Sequence, residues 1–310
     1  MELAYELFVQ ILIMFAYILI GFVMSKGKLI SDEGSKQLSK LLIYFITPIA
    51  VLFSFLNMEY DEKHLLGLLI AFLISFGSLV LSALISRLIF GMKNGIEHFG
   101  TSFPNGGFLG IPLVMALLGP MGVFYISPFV ALLNVFQFTY GIYVITGNKR
   151  FIQFKKIITN PFVIAFVLGT IFYLLKGVNF SLPLIVNEQF SIVSKMLGPV
   201  AMIIIGTYLA NANLKQALKD PLLYKALSVR HLIIPIITAL IFLLIPSNYN
   251  VITLAVMVVV AAPVGANTAI FSALYNIPQK NAIPLICIST LLSLFTMPLM
   301  IYFYQFLIGW

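Results

Sequence analysis

The sequence predicts an all-α polytopic membrane protein that crosses the bilayer ten times, and two observations carry this prediction. Of the 310 residues, 61% are hydrophobic and only 9% are charged, whereas about a quarter of the residues of soluble domains are charged. The apolar residues also gather in segments of roughly twenty residues, the length of a helix that spans a bilayer. We place the ten spans near residues 7–25, 40–57, 65–89, 98–118, 122–146, 160–176, 190–210, 228–245, 250–274 and 282–308.

We expect the first of these spans to be a permanent membrane helix. Glu2 and Glu6 precede its apolar run, which has neither the basic flank nor the small-residue cleavage site of a signal peptide. Cys287 is the only cysteine, so the chain can form no internal disulfide.

The basic residues predict how the chain is oriented in the membrane. Of the 18 Lys and Arg residues, fifteen fall in one set of alternate loops and only Lys63 and Lys176 fall in the other. Since cytoplasmic loops are enriched in Lys and Arg, we expect a multi-pass protein of the cell (inner) membrane with both termini outside. The net charge of +8 then reflects topology, and no nucleic-acid partner is predicted. The fifteen are Lys26, Lys28, Lys36, Lys40, Arg87, Lys93, Lys149, Arg150, Lys155, Lys156, Lys215, Lys219, Lys225, Arg230 and Lys280.

The two halves of the chain read as a repeat. One order of residues, Ser-Lys, then Pro-x-Ala, then Asn, begins at Ser39 in the second span and recurs from Ser194 in the seventh. Because each half has five spans, an odd number, the second half must be inverted relative to the first. We therefore divide the chain into a first five-helix repeat at 1–147, a cytoplasmic linker at 148–159 and a second, inverted repeat at 160–310.

Two spans, the fourth and the ninth, are interrupted near their middle. The fourth contains SFPNGGFLGIPL at 102–113, where Pro104 removes a backbone donor and Gly106 and Gly107 weaken the helix. The ninth contains AAPVGANTAIFS at 261–272. Irregular backbone within a membrane survives only where it is buried in protein or lines a cavity. Paired interruptions in two halves of a chain point to the binding site of a secondary transporter.

Each interruption creates a new helix N-terminus within the membrane. Such an end carries free N–H groups and about half a positive charge, which favours a carboxylate. The alternative is that these are kinks repaired by neighbouring helices, with Asn105 capping its own backbone. Asn134 and Gln137 lie three residues apart on one face of the fifth span. Ser289, Thr290, Ser293 and Thr296 in the tenth span are further candidates, or they are packing residues that bond between helices.

The interrupted segments resemble a known family. SFPNGGFLGIPL, AAPVGANTAIFSALYNIP and STLLSLFTMPLMIYF are similar to segments of the auxin efflux carriers, which include plant auxin transporters and bacterial permeases for malate and malonate. The resemblance covers the whole chain and implies that spans 4 and 9 cross. It also implies a scaffold domain (spans 1, 2, 6 and 7), a transport domain (spans 3–5 and 8–10) and a homodimer. Only about a dozen residues join spans 5 and 6, which favours a bacterial-type member.

The resemblance also implies roles for individual residues. Asn105 matches an asparagine that contacts the substrate carboxylate, Pro104 and Pro263 match the crossover prolines, and Asn134 falls where plant members have a substrate-contacting glutamine. With the residues derived above, the predicted substrate-binding set is Pro104, Asn105, Gly106, Gly107, Asn134, Gln137, Pro263, Gly265, Asn267 and Ser293.

The types of residue that are missing from the predicted spans limit the possible functions. No Asp or Glu lies in the middle of a span, although ion-coupled carriers normally use such residues. The three histidines have no metal-ligand spacing, so we predict no cofactor, no metal and no enzyme activity. Lys195 is the one charge placed well inside a predicted span. We interpret its side chain as extending along the helix to the outer membrane surface.

Together these features predict a membrane carrier. It would move a small organic carboxylate, auxin-like or a mono- or dicarboxylate such as malate or malonate, by alternating access, either secondary active or driven by the membrane potential. Its partners would be the anion, membrane lipid and a second copy of the chain. The alternatives are a sodium- or proton-coupled symporter of the bile acid symporter type and an anion channel.

The predicted topology can be tested by labelling. Single cysteines that replace Asp61 and Lys155 should react with a membrane-impermeant reagent from opposite sides of the membrane, Asp61→Cys from outside and Lys155→Cys from inside. Labelling of both positions in intact cells would rule out this topology and the inverted repeat with it.

Overall fold

The computed structural model describes residues 2–152, 154–178, 183–211, 217–277 and 282–309, without the side chains of residues 2–7, 184 and 217. These residues form sixteen α-helices and, apart from one isolated bridge, no β pairing. The helices are α1 (Glu2–Lys26), α2 (Asp32–Leu41), α3 (Thr47–Asn57), α4 (Glu62–Phe90), α5 (Gly95–Ser102), α6 (Ile111–Phe136), α7 (Ile142–Thr146), α8 (Phe154–Ile158), α9 (Pro161–Lys176), α10 (Leu184–Lys195), α11 (Leu197–Ala210), α12 (Pro221–Ser228), α13 (Ile234–Phe242), α14 (Asn250–Val260), α15 (Asn267–Leu274) and α16 (Ala282–Ile308).

Prolines explain why several spans are divided into two helices. π-helical turns at Leu42–Ile46, Gly106–Gly110 and Val229–Ile233 each end two residues before a proline: Pro48, Pro112 and Pro235 respectively. Proline has no N–H and clashes with the carbonyl four residues before it. A π turn pairs each carbonyl with the amide five residues later, so the chain passes the proline without leaving the helix. A fourth π turn, Gln137–Gly141, joins α6 to α7.

Seven helical segments of the described chain are long and apolar enough to cross a membrane. The chain is therefore a multi-pass membrane protein. Two further apolar helices, Pro161–Lys176 and Ser247–Val260, are shorter. The seven are Phe8–Lys26, Asp32–Asn57, Glu62–Phe90, Gly106–Thr146, Ile185–Ala210, Pro221–Phe242 and Ala282–Ile308.

The segment Gly106–Thr146 folds back on itself. Its 41 residues would make a straight helix of about 60 Å, twice the thickness of a bilayer core. Gly119 interrupts it with φ 62° and ψ −158°, a conformation that favours glycine. A β-carbon on Gly122 would lie 2.7 Å from Cγ1 of Val114, although eight residues of straight helix separate atoms by about 12 Å. The segment is a hairpin of two helical arms.

The hairpin and α14 form the interior of the molecule. All residues from Ile252 to Val260 are buried, as are those from Gly122 to Ala131. Around this interior, α1 packs on α11 and α3 packs on α9. Gly21 in α1 faces the backbone of Ile203, and Gly169 in α9 faces the ring of Phe55, both without room for a side chain. Gly169 follows Gly21 by 148 residues, and Ile203 follows Phe55 by the same 148 residues.

Candidate functional site

The two interrupted segments meet directly. The amide of Asn105 donates to the carbonyl of Pro263 at 2.7 Å, and the amide of Gly265 donates to the carbonyl of Phe103 at 3.3 Å. The two bonds flank an antiparallel bridge between Pro104 and Val264. The two interruptions thus pair some of the backbone groups that they expose with each other, which lowers the cost of unpaired peptide groups in a membrane.

The bridge sets a register that the sequence did not reveal. Pro104 pairs with Val264, so Pro263 lies opposite Asn105 and the two prolines are offset by one residue. Gly265 lies opposite Phe103, where a β-carbon would be 3.1 Å from the carbonyl oxygen of Pro104 and 3.3 Å from that of Phe103. The close approach of the two backbones therefore explains the glycine at 265.

Asn105 has two functional groups with different partners. Its Oδ1 accepts a hydrogen bond from the amide of Phe108 at 3.2 Å, which caps the helical segment that begins at Gly106. This is the capping role that the sequence analysis held as an alternative. Its Nδ2 has no hydrogen-bond partner among the described residues, although the side chain is only 5% exposed. The cap fixes the amide so that its donors remain available to a ligand.

A small cavity of about 40 Å³ lies beside the bridge, at the N-terminal ends of the segments that follow the two interruptions. Eight of the ten predicted site residues line it: Pro104, Asn105, Gly106, Gly107, Asn134, Gln137, Gly265 and Asn267. The remaining lining residues are apolar: Ile43, Phe108, Leu133, Phe162 and Ala266. In the described part of the chain, no charged side chain faces this cavity.

The other two predicted residues lie outside this lining. Pro263 contributes its carbonyl to the bridge instead. Ser293 is buried in α16 and its hydroxyl donates to the carbonyl of Thr290 at 2.6 Å, a bond within its own helix. Helical hydroxyls commonly bond this way, and nothing in the sequence distinguishes such a residue from one that faces a ligand.

Side-chain amides connect the walls of the cavity. Asn267 Nδ2 donates to Gln137 Oε1 at 2.6 Å, which joins the second interruption to the fifth span. Asn134 Oδ1 accepts from Asn160 Nδ2 at 3.1 Å, while Asn160 Oδ1 caps α9 by accepting from the amide of Phe162 at 3.0 Å. The sequence analysis missed Asn160; its signal was the pair Asn160-Pro161 at the start of a span, typical of a helix N-terminus.

A second and larger space adjoins the cavity. Its volume is about 370 Å³, and it lies between the helices α2, α11, α15 and α16. Asp32, Lys36 and Asn211 are at its rim, and Ala266 lines both spaces. Asn211 Nδ2 donates to Asp32 Oδ1 at 2.7 Å across this rim.

The placement of Arg230 corrects the sequence analysis, which counted it among the cytoplasmic loop residues. It lies in the π turn Val229–Ile233, within the span Pro221–Phe242, and is fully buried. Its guanidinium donates to three backbone carbonyls, those of Thr101 and Ala262, each at 3.0 Å, and that of Val260. Lys195, which was expected to be the charge inside a span, is exposed. Removing Arg230 leaves fourteen basic residues on the predicted cytoplasmic side, so the charge asymmetry stands.

His231 ties the tenth span to the second interruption. Its two ring nitrogens lie 2.7 Å from Ser289 Oγ and 2.8 Å from Thr296 Oγ1. Ser289 Oγ in turn accepts from the amide of Val264 at 2.9 Å. Ser289 and Thr296, which were candidates for substrate contact, therefore hold the interrupted backbone in place.

Comparison with protein families assigns the chain to a class. Residues 6–153 and 148–301 each match the family described as membrane transport protein. The chain belongs to this family. The match confirms the resemblance to auxin efflux carriers that the interrupted segments suggested. A comparison with curated proteins finds no match.

The bridge geometry predicts different effects for two glycine substitutions. Gly265→Ala would place a β-carbon against two backbone oxygens that cannot easily move, so we expect a loss of about 1–3 kcal/mol in the free energy of unfolding. Gly107→Ala would place one 3.4 Å from the ring of Phe162, an ordinary contact, so stability should stay the same or rise slightly. Thermal unfolding of the purified, ligand-free variants makes the comparison. Equal melting temperatures would contradict the close backbone approach at Gly265.

Proposed function

We propose that this membrane transport protein is a carrier that moves a small organic carboxylate across the cell membrane by alternating access. The observation that carries the proposal is the meeting of the two interruptions beside a cavity. Two helical segments begin at that cavity, one at Gly106 and the other at Asn267. Helix N-termini bind anions because their N–H groups are free and their dipoles are positive, and Asn105 Nδ2 adds a donor.

The lining favours a monocarboxylate with an apolar body. Side-chain amides supply donors on one part of the wall, and Ile43, Phe108, Leu133 and Phe162 supply apolar surface on another. A second carboxylate would be desolvated without a cationic partner among the described lining residues, which is costly. Of the substrates that the sequence suggested, we therefore favour the monocarboxylates over malate and malonate.

The arrangement of helices supports ten spans in two inverted repeats. Counting the hairpin Gly106–Thr146 as two spans and adding the two shorter apolar helices brings the seven segments to ten. The contact of Gly21 with Ile203 and that of Gly169 with Phe55 are related by one offset of 148 residues, as a twofold repeat requires. The bridge has the same symmetry, since Asn105 bonds Pro263 as Gly265 bonds Phe103. We keep the repeats at 1–147 and 160–310 and the homodimer as parts of this proposal.

The cavity lies between the two proposed domains. Ile43 and Phe162 come from spans 2 and 6 of the scaffold domain, while the other lining residues come from spans 4, 5 and 9 of the transport domain. The larger space has Asp32, Lys36 and Asn211 at its rim, and the basic residues place those ends of spans 2 and 7 in the cytoplasm. We therefore interpret this conformation as open toward the cytoplasm.

The membrane potential is a sufficient driving force for efflux. Outward movement of a monoanion gains roughly 2.3 kcal/mol per 100 mV. Glu97 is the buried carboxylate of the described spans, but it lies in the first turn of α5 and does not line the cavity. No observation on the described residues favours coupling through an intramembrane carboxylate. The anion channel remains an alternative because interrupted helices also line pores.

Counterflow in liposomes tests the proposal. Liposomes loaded with an unlabelled monocarboxylate should accumulate the labelled acid transiently when they contain a carrier, whereas a channel should not cause accumulation. The acid is chosen by screening monocarboxylates for thermal stabilisation of the protein.

Two substitutions of Asn105 separate its two roles. Asn105→Asp keeps the oxygen that caps the helix and removes the amide donors, so stability should be retained while counterflow is lost. Asn105→Ala should lower stability by about 1 kcal/mol and weaken binding by about 1–3 kcal/mol, the scale of a lost hydrogen bond to a charged group. Normal counterflow by a folded Asn105→Asp protein would move the substrate site elsewhere.

A further inference from the structure

The transport site described above makes no use of Arg230, although this is the largest of the fully buried side chains. A buried charge in a membrane span is costly and generally marks a function. Here the partners of the guanidinium are backbone carbonyls, and no carboxylate among the described residues forms an ion pair with it.

The three carbonyls share one property. Thr101 lies in the last turn of α5, Val260 is the last residue of α14 and Ala262 follows two residues later. All three therefore come from the C-terminal ends of the two helices that precede the interruptions. Such ends carry unpaired carbonyls and about half a negative charge each. The guanidinium lies where these two negative ends converge. These ends precede the interruptions, whereas the cavity lies at the helix ends that follow them.

In carriers with interrupted helices, unwound carbonyls and helix C-terminal ends are the groups that coordinate a coupling cation such as Na⁺. We propose that Arg230 is a tethered cation that permanently occupies this position, so that the protein needs no bound metal ion to assemble its interrupted helices. One side chain joins Thr101 of the first half to Val260 and Ala262 of the second. The planar guanidinium suits this task because its donors are held in a fixed fork.

This inference deepens the proposed function and rests on it for its bearing on transport. It predicts a carrier that is independent of Na⁺, which disfavours the sodium-coupled alternative. The test below uses the ligand-free protein and measures no transport. A failed counterflow experiment would therefore not change the result of this unfolding test. A failed unfolding test would likewise leave the counterflow result unchanged.

The experiment compares thermal unfolding of the purified full chain in NaCl and in choline chloride at equal concentration. The wild-type protein should melt at the same temperature in both salts. Arg230→Met, which keeps the bulk and removes the charge, should melt about 10 °C lower in choline chloride, and Na⁺ should recover at least half of the loss. Arg230→Lys should be stabler than Arg230→Met in choline chloride and unaffected by the choice of salt.

Lys225→Met is the matched control, because Lys225 lies on the preceding helix α12 and its Nζ makes one exposed bond to the carbonyl of Ile89. It should melt like the wild type in both salts. The proposal is overturned if the wild type is stabilised by Na⁺ over choline, or if Arg230→Met is as stable as the wild type in choline chloride. It is also overturned if Na⁺ recovers nothing in Arg230→Met.

Should Arg230→Met fail to fold in either salt, Arg230→Lys decides. A folded, salt-insensitive Arg230→Lys protein supports the tethered cation. Failure of both variants would overturn the proposal, because Lys keeps the tethered charge and should then preserve the fold.

Discussion

The structure depends on how the peptide groups of two interrupted helices are satisfied within a membrane. Each interruption leaves a negative helix end before it and a positive helix end after it. The negative ends, with the carbonyls of Thr101, Val260 and Ala262, are held by Arg230. The backbone between the ends is paired across the Pro104–Val264 bridge. The positive ends face the cavity. There the side chain of Asn105 caps the segment that begins at Gly106.

This division of charge gives the cavity its chemistry. No cationic side chain is among the described lining residues of the cavity, so an anion bound there would be held by helix N-termini and amide donors. In the proposed function, dipoles and amide donors would bind the carboxylate without the deep ion pair that would slow its release. Hydrogen bonds between side-chain amides, Asn267 with Gln137 and Asn134 with Asn160, fix this wall of the cavity relative to the neighbouring spans.

The sequence predicted the parts of this arrangement that are local. The first interruption could be predicted from Pro104, Gly106 and Gly107, because proline and glycine destabilise a helix in any context. Eight of the ten predicted site residues line the cavity. Hydropathy is also a local property, and the described chain has seven helical segments long and apolar enough to span a membrane. Pro48 was used only as part of the repeated Pro-x-Ala pattern, and Pro112 and Pro235 were given no interpretation, since a π turn that accommodates a proline depends on how the preceding turn packs.

The features that sequence reasoning missed are contacts between distant residues. Arg230 was assigned to a loop because the helix was expected to begin at 228, whereas it begins at Pro221, two turns earlier. Its partners lie 30 or more residues away along the chain. The one-residue offset between Pro104 and Pro263 likewise follows from pairing of two backbones, which no periodicity records.

The position of a bound carboxylate tests the central claim most directly. A monocarboxylate that stabilises the protein and carries a bromine atom can be located by anomalous scattering in a crystal of the complex. We predict that its carboxylate lies within hydrogen-bond distance of Asn105 Nδ2, between the segments that begin at Gly106 and Asn267, with bromine toward Phe108 and Phe162. A carboxylate bound instead in the larger space, beside Lys36 and Tyr208, would contradict the claim that the interrupted helices form the substrate site.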